Sequence, residues 1–82
     1  MGYRGVPYRR YKHAQDRQDE RAVSNAEIRA ILDSPDVEYP SESYPGRRVL
    51  CKKFSETRKV SVVIWPPTKG DADVKVVTVT VN

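Results

Sequence analysis

Three side chains near the start of the chain have the types and spacing for phosphate chemistry. His13, Arg17 and Arg21 follow one another at four-residue steps within HAQDRQDER, residues 13–21. On an α-helix that spacing places them on one face, about one turn apart. An imidazole takes or gives a proton near neutral pH, and a guanidinium holds a phosphate through two parallel N–H bonds. Together they would form a cationic face with one proton carrier, suited to a phosphate ester. The stretch has no large apolar residue, so packing alone does not account for it. The competing reading for the two arginines is surface pairing with Asp16, Asp19 or Glu20, worth about 0 to 1 kcal/mol per pair. Glu20 itself reads as part of a solvated charged face.

The remaining composition narrows the chemistry. His13 is the single histidine and Cys51 the single cysteine, so no internal disulfide and no Cys/His zinc cluster is expected, and no cofactor. Eighty-two residues make one small domain, burying roughly 60% of the surface its unfolded chain would expose. Hydrophobic residues at 38% and charged residues at 32% suit a folded domain, with the apolar ones clustered after residue 22. Net charge is +4. Residues 1–12 hold Arg4, Arg9, Arg10 and Lys12 with no acid, interleaved with Tyr3, Tyr8 and Tyr11. Residues 1–11 are expected to be a flexible basic arm able to track phosphates and stack on bases, and 12–82 a single domain. No apolar run approaches the roughly 20 residues of a membrane span, and no apolar leader segment follows the N-terminal arginines. A soluble, cytoplasmic protein is expected.

The elements that must position these residues can be read in order. Residues 12–21 are rich in helix formers and free of Gly and Pro. Ser24-Asn25-Ala26-Glu27 fits a capping box, with Val23 and Ile28 at the two positions of a hydrophobic staple. A second helix therefore starts at Asn25, carries the apolar stripe Ile28, Ile31 and Leu32, and ends before Pro35. Val37 to Tyr39 reads as a short strand, Pro40 to Gly46 as a turn, and Arg47 to Phe54 as an alternating strand. Ser55 to Arg58 is a hairpin turn, Lys59 to Trp65 a β-branched strand stopped by Pro66-Pro67, and Val74 to Val81 a last strand.

Short connections between successive strands require antiparallel neighbours. The expected fold is α+β, two N-terminal helices packed on one face of a three- to four-stranded antiparallel sheet. Strict alternation would put Val77, Val79 and Val81 on one face and Val74, Val76, Thr78 and Thr80 on the other. Val60, Val62 and Ile64 are expected to face the helices, with Ser61, Val63 and Trp65 opposite. Trp65 beside Pro66 reads as a packing residue rather than a base-stacking platform.

His13-Ala14, Arg17, Arg21, Val23-Ser24, Glu27-Ile28, Pro35, Gly46-Arg47 and Val76-Val77-Thr78-Val79 form an ordered pattern over residues 12–81. It resembles a small bacterial domain family of unknown function that begins H-A-x-x-R-x-x-x-R-x-[IV]-S-x-x-[EA]-[IV] and ends in V-V-T-V. That family in turn resembles the barnase, EndoU, colicin and RelE-like ribonuclease fold group. The resemblance implies a RelE/barnase-like fold, metal-independent cleavage of RNA, and toxin-like behaviour with an acidic antitoxin or immunity protein as partner. It marks His13, Arg17, Arg21, Arg47 and Thr78. The aromatic hydroxyl that many of the group place after the last threonine is missing, since Val79, Thr80 and Val81 stand there.

Metal-free RNA cleavage needs a base for the ribose 2′-hydroxyl, an acid for the leaving 5′-oxygen and cations for the charge that builds on the phosphate. His13 fills one proton role and leaves the second unassigned. Arg17 or Arg21 would bind the phosphate, with Arg47 and Lys52 reaching from the sheet, Arg9 and Arg10 from the arm, and Thr78 orienting a phosphate oxygen. Glu27 is better explained as the capping partner than as a base. Two other readings compete: a non-catalytic RNA- or protein-binding module that keeps the fold, and an interaction protein whose open sheet edge pairs with another chain. A monomer or weak dimer is expected in each case.

Overall fold

The computed structural model describes residues 3–81. Its elements run β1 (Tyr8–Arg10), α1 (Lys12–Glu20), α2 (Asn25–Asp33), β2 (Val37–Pro40), β3 (Arg48–Ser55), β4 (Arg58–Trp65) and β5 (Val74–Val81). The strands form one five-stranded sheet in the order β1-β5-β4-β3-β2. The α+β class matches the expectation, but the strand number and the purely antiparallel sheet do not. β1 lies parallel to β5, with Tyr8 opposite Val74 and Arg10 opposite Val76, while the other pairs are antiparallel.

The extra strand falls within the stretch expected to be a flexible arm; residues 1 and 2 of that stretch lie outside the described residues. Its Gly and Pro content suggests a loop, yet long-range partners hold it. Arg29 donates to the carbonyls of Val6 at 2.6 Å and Tyr3 at 2.8 Å, and its guanidinium lies 5.6 Å from the Tyr8 ring centroid. The Tyr3 hydroxyl donates to Glu38 at 3.1 Å. Beyond β1, the Tyr11 N–H bonds to the Val76 carbonyl, so the parallel pairing fixes where α1 begins.

Both helix ends follow from local sequence. In α2 the capping box forms: the Glu27 N–H donates to the Ser24 hydroxyl at 3.1 Å and the Ser24 N–H to the Glu27 carboxylate at 3.0 Å. α1 closes through N–H bonds from Val23 to the Gln18 carbonyl and from Ala22 to the Asp19 carbonyl. That closure puts Ala22 in the left-handed region, at φ 53°. Arg58 then ties both features to the sheet, donating to Glu27 at 2.8 and 3.0 Å and to the Ala22 carbonyl at 3.1 Å. This pairing holds the Glu27 carboxyl below its ordinary pKa, helped by the Ser24 bonds and opposed by partial burial.

One core lies between the helices and one face of the sheet. Ala14, Val23, Ile28, Ile31 and Leu32 meet Leu50, Val60, Val62, Ile64, Val74, Val76 and Val79 there. A fully buried Leu, Ile or Val side chain contributes about 1.5 to 3 kcal/mol, so a single such patch can hold a domain this small. The β4 alternation is as expected, but that of β5 is not. Val63 pairs with Thr78 and Ile64 with Val76, which leaves Val77 as an extra residue in a bulge. The bulge shifts the register, so Val74 and Val76 share the core face with Val79.

Candidate functional site

The face of the sheet away from the helices carries two cross-strand rows. They are Tyr39–Val49–Val63–Thr78 and Val37–Cys51–Ser61–Thr80. Where the first row meets the bulge, a cleft of about 280 Å³ opens. Tyr11 and His13 line it from the start of α1, Tyr44 and Arg47 from the β2–β3 loop, and Val63, Val77 and Thr78 from the sheet. Adjacent residues of a regular strand point to opposite faces; the bulge lets both Val77 and Thr78 line the cleft.

Arg47 is held in an unusual way. Its guanidinium lies over the Tyr44 ring, 4.2 Å from the centroid, and over the Trp65 ring at 4.9 Å. Gly46 closes the group from behind at φ +88°, where a Cβ would stand 2.9 Å from Cζ3 of Trp65. The Arg47 Nε is buried without a hydrogen-bond partner. No carboxylate pairs with Arg47 among the described residues, whereas Arg9, Arg17, Arg21, Arg29, Arg48 and Arg58 each have one. Aromatic faces stabilise a guanidinium without neutralising it. Arg47 therefore presents an uncompensated charge in a cleft that also holds an imidazole and a threonine hydroxyl.

The residues singled out in the sequence divide into two groups. His13, Arg47 and Thr78 come together although they are far apart in the chain. Arg17 and Arg21 do not line this cleft: Arg17 bonds Glu20 at 2.9 Å, and Arg21 lies 3.7 Å from the same carboxylate. Both take part in the surface pairing with Glu20. Arg9 pairs with Asp71 and Asp73, at 2.7 and 3.1 Å. Arg10 donates to Gln18 at 2.7 Å and Asn25 at 3.0 Å, and Lys52 to the Ser34 carbonyl at 2.9 Å. These five serve fixed contacts outside the cleft.

Sequence reasoning missed Tyr11 and Tyr44 as cleft residues. Tyr44 had a usable signal, because Tyr-Pro-Gly-Arg at 44–47 places an aromatic ring and a guanidinium on the two sides of a tight turn. Trp65 takes the packing role expected of it, supporting Arg47 against Gly46.

The family profile described as a domain of unknown function, DUF4258, matches residues 11–81. The chain belongs to the DUF4258 family. No curated protein and no solved structure shows significant similarity to it. The matched span begins at Tyr11, the first cleft residue, so every lining residue falls within the DUF4258 domain and β1 lies outside it. No helix among the described residues of this DUF4258 protein is long and apolar enough to cross a membrane.

Proposed function

We propose that this DUF4258 domain acts on RNA, as a metal-independent ribonuclease or ribonuclease-like toxin domain of the RelE/barnase-like kind. The observation that carries the reading is the meeting of His13, the uncompensated Arg47 and Thr78 in one cleft. In the proposed reaction Arg47 binds the scissile phosphate and Thr78 orients one of its oxygens. His13 takes the proton from the ribose 2′-hydroxyl, whose oxygen attacks phosphorus. The P–O5′ bond breaks, leaving a 2′,3′-cyclic phosphate and a 5′-hydroxyl. The proton for the 5′-oxygen falls to the Tyr11 hydroxyl, because the Tyr44 ring supports Arg47.

A non-catalytic RNA-binding module is the second reading, favoured by the single imidazole in the cleft. Incubation of folded protein with RNA in EDTA separates the two. The ribonuclease reading expects product from the wild type and a loss of about 10²- to 10⁴-fold in His13→Ala. Binding without product selects the module, and an undiminished His13→Ala variant overturns the assigned mechanism. On either reading the protein works in the cytoplasm, and a neutralising partner would be an acidic protein covering Arg47.

A further inference from the structure

The Tyr44 ring has more surface than Arg47 uses. The guanidinium covers one ring face at 4.2 Å, yet the residue is 55% exposed. With Arg47 over one face, the opposite face and the ring edge are the parts of the ring left to contribute to that exposure. The ring is also backed on one side, since Arg47 rests in turn over Trp65 and Trp65 lies against Gly46. An exposed aromatic residue backed by an uncompensated cation suits a second flat group. A surface phosphate site has no need of one.

We propose that the outer face of Tyr44 is a platform for one nucleobase, so that the cleft takes single-stranded RNA with an unstacked base beside the bound phosphate. The assignment rests on the RNA reading above and narrows it. In a duplex both faces of each internal base are already stacked, so a paired strand cannot offer one to Tyr44. An unpaired segment offers it freely, and aromatic stacking accepts any base. Val77 and Val63 supply apolar floor on the sheet side, and Tyr11, 43% exposed, lines the same opening.

The test compares two non-cleavable probes in EDTA at low salt: an oligomer of abasic deoxyribose phosphates, and the same oligomer carrying one adenine. Trp65 is the only tryptophan, so its fluorescence reports binding beside Arg47. The adenine is expected to tighten binding about 5- to 150-fold, the range that one base–aromatic stack supplies. Tyr44→Phe keeps that ratio, whereas Tyr44→Ala weakens the abasic oligomer, because Arg47 loses one of its two supporting rings, and brings the ratio close to one. Equal binding of both probes by the wild type overturns the platform and leaves the phosphate cleft standing. A ratio that survives in Tyr44→Ala, with the fold confirmed by circular dichroism, also overturns it. Failure of both probes to bind, together with failure of an RNA oligomer of the same length, removes the RNA reading as well. A phosphotyrosine peptide that binds as tightly as the adenine probe overturns the substrate class.

Discussion

Replacing Gly46 by alanine tests how the cleft is held together. Two costs combine at this position. The backbone is at φ +88°, where a Cβ costs about 1 to 2 kcal/mol. The new methyl would also stand 2.9 Å from Cζ3 of Trp65, well inside the roughly 3.5 to 4.0 Å of a carbon–carbon contact. Overpacking of this kind costs about 1 to 3 kcal/mol. Gly5 isolates the first cost, because it has φ +74° and nothing within 4 Å of its own Cβ position. Gly46→Ala should therefore destabilise by about 1 to 3 kcal/mol more than Gly5→Ala, measured by urea unfolding with the slope checked for constancy. In a Trp65→Phe background the smaller ring leaves room, and at least half of that excess should disappear. Equal costs for the two alanine variants, or an excess indifferent to Trp65→Phe, would refute the packing of Trp65 against Gly46.

Two further outcomes follow from the ion pairs. The Glu27 carboxyl has a lowered pKa in the folded state because Arg58 and Ser24 bind its ionised form. Its contribution to stability is therefore complete above the ordinary glutamate value and is lost as pH falls through the lower folded value. Glu27→Gln should flatten the unfolding curve against pH in that acid window alone, seen by thermal melts at stepped pH. Arg17→Ala and Arg21→Ala remove exposed pairs with Glu20 and should change stability by no more than about 1 kcal/mol. They should also leave phosphate affinity near that of the wild type, whereas Arg47→Ala should abolish it in the same titration.

What could be read from the sequence depended on the range of the interactions. α2 was legible to the residue because Ser24 and Glu27 are three positions apart and satisfy each other. The β3–β4 hairpin was legible from alternation and a short polar turn. β1 was not, because a three-residue strand carries too little periodicity and its partner β5 lies more than sixty residues away. The β5 faces were misread for a local reason: one extra residue, Val77, reverses the alternation, and nothing in a run of Val and Thr marks it. The site followed the same rule. His13 was legible by residue type, but helical spacing joined it to Arg17 and Arg21, whose charge Glu20 takes up. Its neighbours in the cleft are set by where β1 delivers the start of α1 and by where the bulge turns Thr78.

The reaction proposed for this cleft is cleavage of RNA through the 2′-hydroxyl, with His13 moving the proton. The most direct measurement is product analysis by mass spectrometry after incubation in EDTA, with an RNA oligonucleotide beside the same oligonucleotide made 2′-deoxy throughout. The RNA should give 2′,3′-cyclic phosphate ends, the deoxy strand none, and the RNA with His13→Ala almost none. Cleavage of the deoxy strand, or cyclic phosphate formed at the wild-type rate by His13→Ala, would contradict it.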